Sequence, residues 1–123
     1  MSISKEIMLE MYKRMDQARK FEEKVCYFFS KGMIHGTTHL SIGQEASSVA
    51  AVMALDDGDL VSMTHRGHAL SIGMGIDLNK MMAELMGILS DGVRSRQSLT
   101  NEVNAIVAIV KNRDVYIFLI LFS

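Results

Sequence analysis

The sequence contains no proline and no tryptophan, a single cysteine, and almost no excess of charge of either sign. Thirteen basic and fourteen acidic residues give a formal net charge of -1. No protein-wide field therefore attracts nucleic acid or an anionic membrane, and we expect neither as a partner. The single cysteine, Cys26, excludes an intramolecular disulfide. Its neighbours Val25, Tyr27 and Phe28 predict a buried thiol in a reducing compartment rather than a reactive one.

The sequence also lacks a secretion signal and a membrane-spanning run. Lys5 and Glu6 interrupt the start of the chain, where a signal peptide would have an unbroken apolar core. The most apolar run covers residues 115–122, whereas a helix that spans a bilayer needs about 20 residues. We therefore expect a cytoplasmic protein. Its 123 residues, 49% of them apolar, are enough for one compact domain and too few for two.

Residues 5–31 predict one long amphipathic helix, because apolar side chains recur at intervals of three or four. Gly32 follows at the place of a left-handed terminating residue. Such a helix of about 27 residues is about 40 Å long, more than one small core can cover. We therefore expect part of its apolar stripe to pack on another domain or subunit. The charged residues between the apolar ones predict a solvated face: Lys13, Arg14, Arg19, Lys20, Glu22 and Glu23.

The next part of the chain has weaker patterns, which predict a loop, a helix and a strand. Residues 33–40 have no helical period and predict a loop. Ser41 with Gln44 three residues later has the spacing of a capping box, which predicts the start of a second helix. Residues 60–63 form a short apolar run that is typical of a buried strand.

Two further helices and a tail complete the prediction. Residues 67–74 predict a short helix, and Asp77 is placed to cap another. The apolar runs 105–110 and 115–122, which a polar stretch separates, predict strand, turn and strand. The fold class is therefore α/β, mostly helical with a few short strands.

Histidines and one arginine lie in loop-like places near predicted helix starts: His35, His39, His65, Arg66 and His68. A strand that leads to a helix start suits a phosphate when an arginine stands at the junction. Free backbone N–H groups, the helix dipole and a bidentate guanidinium all favour an anion there. Taken alone, the pattern is more often that of a surface arginine and a hydrogen-bonded loop histidine. The histidine spacings contain neither a paired-cysteine knuckle nor H-E-x-x-H, which disfavours a zinc site.

Four segments, in order, carry a family resemblance. They are residues 11–25, the run GTTHLSIGQEA at 36–46, THRGH at 64–68 and MMAELMG at 81–87. The set resembles the alpha subunits of thiamine-diphosphate-dependent 2-oxoacid and acetoin dehydrogenases, and THRGH is most similar to the acetoin branch. The resemblance implies that residues 1–92 are the N-terminal part of such a subunit, a thiamine-diphosphate-binding fold. Residues 93–123 are then a divergent tail.

The resemblance implies roles for individual residues. Arg66 and His65 match the pair that contacts the cofactor diphosphate. His39 matches the histidine that faces the substrate side of the thiazolium, where an imidazole can exchange protons with a developing alkoxide or hold the lipoyl group. His68 is implied to lie nearby as a second catalytic candidate. Gln44 and Glu45 also match the family, but we prefer a capping and structural role for them.

The resemblance also implies cofactors and partners. The cofactors are thiamine diphosphate and magnesium. The family reaction breaks a carbon–carbon bond next to a carbonyl and passes the acyl unit to a lipoyl domain; the cofactor carries the hard chemistry. The implied partners are a beta subunit, a second alpha subunit and a lipoyl acyltransferase component. The glutamate that activates the aminopyrimidine is implied to come from the beta subunit.

The resemblance stops after residue 92. A glycine- and lysine-rich loop and a G-D-G motif with a later asparagine, which hold magnesium in the family, have no counterpart. The D-G-D at 57–59 precedes a predicted strand instead of ending one. Only Arg66 and a helix end would then neutralise the negative charge of two phosphates. We therefore expect no tight cofactor binding and no activity from this chain alone.

Two interpretations fit this break. We prefer a frameshifted or prematurely ended translation of a damaged gene. The alternative is a genuine short protein, a non-catalytic helical interaction module that binds dehydrogenase alpha or beta subunits. A small helical protein without catalytic ancestry would require four ordered matches to be accidental.

Overall fold

A computed structural model describes residues 3–63 and 65–87, together with the backbone of the strand at 107–110. As predicted, this part of the chain is mostly helical with two short strands. The elements in chain order are α1 (Lys5–Ser30), α2 (Glu45–Met53), β1 (Leu60–Met63), α3 (His68–Gly73), α4 (Leu78–Leu85) and β2 (Val107–Val110). The predicted turn and second strand of the tail, within residues 111–122, lie outside the described residues.

Helix α1 has the start and end that the sequence predicts. The Ser4 hydroxyl accepts the N–H of Ile7 at 3.3 Å, which satisfies one of the free donors of the first turn. Gly32, with a φ of +69°, lies just beyond the last turn in the left-handed region that ends many helices. The helix is 26 residues long.

The core forms where α1, α3 and α4 meet. Its apolar side chains are almost fully buried, and they are Ala18, Phe21, Val25, Ile34, Ala69, Ile72, Met81 and Leu85. Helix α2 packs on α3 through Val49 and Val52, which lie against Gly73. Arg14 on α1 donates a hydrogen bond from Nη1 to the carbonyl of Gly73, so α1 also contacts the last residue of α3.

Strand β1 brings the chain to the start of α3. It pairs with β2 in antiparallel register, with Leu60 opposite Val110 and Met63 opposite Val107. Met63 is 4% exposed and packs with partly buried apolar side chains, which anchors the strand just before residue 65. Asp77 accepts the N–H groups of two residues in the first turn of α4, as predicted. Within the described ranges, no helix is long and apolar enough to cross a membrane.

Two predictions about α1 are wrong. Cys26 is exposed, because its neighbour Val25 faces the core and the next position along the helix turns toward solvent. Glu22, which we placed on the solvated face, is only 1% exposed. The buried residues Ala18, Phe21, Glu22 and Val25 follow the i, i+3, i+4, i+7 spacing of one face, so the position and not the charge decided its burial.

The predicted capping box is also wrong. Helix α2 starts at Glu45 with Gln44 as its N-cap, and no side chain caps it. Ser41 instead uses both of its donors on Glu22. A buried carboxylate needs several hydrogen bonds, and this demand explains why the serine turns inward rather than toward the helix start.

Candidate functional site

Two loops that are distant in sequence meet at one place. Arg66 Nη1 donates a hydrogen bond to the carbonyl oxygen of Leu40, with a donor–acceptor distance of 2.6 Å. The rings of His39 and His65 lie edge to face, 4.5 Å between centroids and 64° between planes. The structure therefore brings together three of the four predicted site residues: His39, His65 and Arg66. We call these three the histidine–arginine cluster.

The cluster faces solvent for most of its surface. His65 and Arg66 are exposed, and His39 is half-buried. The carbonyl of Leu40 takes a single hydrogen bond from the guanidinium, and an arginine side chain has five N–H donors in a planar fork. Donors therefore remain for an oxyanion, the ligand that such a fork and two imidazoles suit.

The fourth predicted site residue, His68, lies in the interior although it is close to Arg66 in sequence. Its ring is buried, and its Nδ1 lies 3.0 Å from Oε2 of Glu22. Its edge also contacts Phe21, with ring centroids 5.8 Å apart. Because an ionised carboxylate can only accept hydrogen bonds, Nδ1 carries the ring hydrogen and donates a hydrogen bond to Glu22.

Glu22 connects α1 to both loops. Its Oε1 accepts the N–H of Ser41 at 2.9 Å and the hydroxyl of Ser41 at 2.5 Å, while Oε2 takes the bond from His68. Sequence reasoning missed this residue. The signal that could have found it is the spacing of four residues from Ala18, which puts Glu22 on the buried face of α1.

The surroundings keep Glu22 ionised. Burial raises the pKa of its carboxyl, but the hydrogen bond and charge of His68 and the two donors of Ser41 together lower it by more. The net pKa is therefore below the ordinary value. Glu84 shows the opposite balance: burial raises its pKa, and the charge of His68 only partly opposes the rise.

Glu45 fixes the loop in front of α2. Its Oε1 accepts the N–H of Gly43 at 3.0 Å and the Nε–H of Arg19 on α1 at 2.6 Å. The hydrogen bond from Arg19 is the main cause that lowers the pKa of Glu45 to about 2. Glu45 thus has the structural role that we preferred for it.

Among the described residues, the loop of His39 contains an unpaired polar atom. Besides the cluster, the loop offers Thr38, whose Oγ1 is shielded from solvent and has no hydrogen-bond partner within the described part of the chain. An unsatisfied hydroxyl next to His39 suits a ligand that brings oxygen atoms. In the same ranges, no group of three or more histidine, cysteine, aspartate or glutamate side chains could hold a metal ion.

Comparisons with known proteins add an independent finding. The family model described as "Dehydrogenase E1 component" matches residues 13–114. The alpha subunit of acetoin:2,6-dichlorophenolindophenol oxidoreductase from Bacillus subtilis is 44% identical over 87 residues, which are 71% of this chain and 26% of that protein. The same subunit from Cupriavidus necator is 41% identical over 85 residues, 69% of this chain and 26% of that protein.

A pyruvate dehydrogenase subunit is similar to the same degree. The alpha subunit of the E1 component from Rhizobium meliloti is 42% identical over 84 residues, 68% of this chain and 24% of that protein. This chain therefore spans about a quarter of the length of these curated relatives. No solved structure matches it.

Proposed function

The chain belongs to the dehydrogenase E1 component family, and from this premise we propose that it provides the N-terminal portion of a thiamine-diphosphate-dependent dehydrogenase alpha subunit. The substrate class is acetoin or a 2-oxo acid, and the acyl unit goes to a lipoyl domain. The names of the relatives support both substrate classes. The sequence THRGH at 64–68 favours acetoin.

The observation that carries this proposal is the meeting of the two loops. Arg66 and His65 are assigned to the diphosphate, and His39 is assigned to the substrate side of the cofactor. The bond from Arg66 to Leu40 and the contact between the rings of His39 and His65 support a single pocket for these roles. His68 remains the second catalytic candidate, but its burial against Glu22 favours a role that acts through the protein rather than on substrate.

These residues have two tasks. The guanidinium of Arg66 neutralises part of the diphosphate charge and orients it through paired N–H groups. The imidazole of His39 exchanges a proton with the oxygen of the reacting carbonyl group, because a histidine is the side chain that is best matched to proton transfer near neutral pH. When bound, thiamine diphosphate provides the electron sink for breaking the carbon–carbon bond.

We propose that residues 1–123 alone bind the cofactor weakly and catalyse nothing. The cluster has one arginine against two phosphates, and α3 behind it has only six residues, too few for a strong dipole. Among the residues that the structure describes, no group of three or more histidine, cysteine, aspartate or glutamate side chains could hold a metal ion. We keep the boundary of this portion at residue 92 as part of the proposal, although the family match extends to residue 114.

The partners in this proposal are a beta subunit, a second alpha subunit and a lipoyl acyltransferase component, in the cytoplasm. Calorimetry tests it with the full chain, a beta subunit from an acetoin or pyruvate dehydrogenase, thiamine diphosphate and magnesium. We expect binding to be weak with the chain alone, stronger once the beta subunit is added, and lost in Arg66→Gln. A mixture that gives neither heat nor a thermal shift would refute the enzyme-component role. Turnover by the chain alone would refute its predicted inactivity.

A second function has its own supporting observation. The first turns of α1 expose large apolar side chains to solvent, with exposures of 48% to 68%: Ile7, Met8, Leu9 and Tyr12. Such a stripe is typical of a surface that a partner covers. A non-catalytic module that binds alpha or beta subunits would co-purify with them and lose this in Tyr12→Ala. A monodisperse monomer that binds neither subunit would contradict the role as an interaction module.

A further inference from the structure

Hydrogen bonds and short backbone segments connect the buried Glu22 to the exposed histidine–arginine cluster and form a closed ring of contacts. From Glu22 the path runs to Ser41 and its neighbour Leu40, and across the 2.6 Å bond to Arg66. It then follows the backbone to His68 and returns over 3.0 Å to Glu22. Each of the two loops therefore has two contacts. One joins it to the other loop at the surface, and one joins it to the carboxylate of Glu22 in the core.

The buried hydrogen bonds to Glu22 are stronger than the exposed bond between Arg66 and Leu40. The carboxylate is 1% exposed, and it accepts one bond from His68 and two from Ser41. Hydrogen bonds to a charge that is shielded from water are electrostatically stronger than exposed ones. The bond from Arg66 to Leu40 joins an exposed side chain to a carbonyl, where water competes. The buried bonds to Glu22 therefore hold the two loops more firmly than the exposed bond does.

We propose that Glu22 is a positioning residue for the histidine–arginine cluster: it holds the loop of His39 and the loop of Arg66 at the separation that one diphosphate-bearing ligand requires. The proposal rests on the proposed function for the nature of the ligand. Glu22 touches neither ligand nor reacting atoms, and it acts through Ser41 on one side and His68 on the other.

Three variants of the full chain separate positioning from folding. Glu22→Gln keeps the shape and the acceptor for Ser41 but removes the charge. Ser41→Ala removes the hydroxyl bond between Glu22 and the His39 loop. It leaves the bond from the backbone N–H of residue 41 and the pair of Glu22 with His68. Glu22→Ala removes both links. The matched control is Glu23→Gln, the exposed neighbour on α1.

The first readout needs no ligand. Long-range ¹H–¹⁵N spectra record the ring signals of His39 and His65, which depend on their edge-to-face contact. We expect Glu22→Ala to move both signals furthest toward those of free histidine. Ser41→Ala, which keeps the backbone N–H bond to Glu22, and Glu22→Gln should move them part of the way, and Glu23→Gln should leave them unchanged. Circular dichroism identifies any variant that has lost its helices. Ser41→Ala, which removes one hydroxyl, keeps the test decisive if Glu22→Ala does not fold.

The second readout uses inorganic pyrophosphate as the probe. A misplacement of about 1 Å can weaken a positioned interaction by up to about a hundredfold. We therefore expect Kd to rise about tenfold or more in Glu22→Ala, and by a smaller factor in Ser41→Ala, which keeps the backbone bond to Glu22. If both keep the ring signals and the Kd of the wild type, the positioning role is wrong. If the wild-type protein does not bind pyrophosphate, the diphosphate role of the cluster fails, and the ring signals still decide whether Glu22 positions the loops.

Discussion

The close packing of α2 on α3 gives the sharpest stability prediction, because it leaves no room for a side chain at Gly73. A Cβ at this position would lie 2.4 Å from Cγ2 of Val52 and 3.3 Å from Cα of Val49. Val49 and Val52 are 0% and 1% exposed. Valine is stiff at χ1, and the second contact is to backbone, so neither neighbour can move aside without displacing a helix.

The expected cost of Gly73→Ala follows from two opposing effects. Overpacking a tight core typically costs about 1–3 kcal/mol. Replacing glycine by alanine in a helix returns at most about 1 kcal/mol, and less at the last helical position. The free energy of unfolding should therefore fall by about 1–2 kcal/mol. In a small domain this lowers the thermal midpoint by about 5–10 °C.

A double-mutant cycle tests the cause. Val52→Ala removes the methyl group that the new Cβ would strike, so Gly73→Ala should cost clearly less in that background than in the wild type. Urea unfolding followed by circular dichroism measures all four proteins. Equal or greater stability of Gly73→Ala relative to the wild type, or strict additivity with Val52→Ala, would contradict the close contact.

Three further predictions concern individual side chains. Glu45 has a folded pKa of about 2 against 4.5 ordinarily, so its bond to Arg19 stabilises the fold above pH 4.5 and fades as the pH falls toward 2. Because Arg19 is 44% exposed, Glu45→Gln should cost only about 1 kcal/mol at pH 7, less in high salt, and very little below pH 2; urea titrations measure this difference. Burial raises the pKa of Glu84, so Glu84→Gln should raise the urea midpoint at pH 7 and have little effect below pH 4.5, and a lower midpoint at pH 7 would contradict this. Cys26 is exposed, so a thiol reagent should modify it completely in native protein without urea, and protection until unfolding would contradict its placement.

Local patterns in the sequence predicted most of the described elements. The periodicity of α1, the glycine beyond its end and the Asp77 cap are each determined by neighbouring residues, and all three are confirmed. The short strand before Arg66 and the helix after it are confirmed as well. The family resemblance carried by four segments is confirmed by the family model and the relatives.

Tertiary contacts explain what the sequence reasoning missed. Charge alone suggested a solvated Glu22, but a serine 19 residues away and a histidine 46 residues away make its burial possible. The same contact removed Ser41 from the predicted capping box. Cys26 has apolar neighbours along the chain, but the core does not extend to its side of α1. The meeting of His39 with Arg66 was implied by resemblance, and only the fold gives its geometry.

A titration of the full chain with inorganic pyrophosphate, monitored through the ring signals of His39 and His65, tests whether the cluster binds a diphosphate. If these residues and Arg66 form the diphosphate side of one pocket, both signals shift with a common Kd. Arg66→Gln then abolishes the shift, whereas Lys13→Gln, which removes the same charge from an exposed position on α1, retains it. Unmoved signals in the wild type, or equal binding by Arg66→Gln, would contradict a diphosphate pocket formed by these three residues.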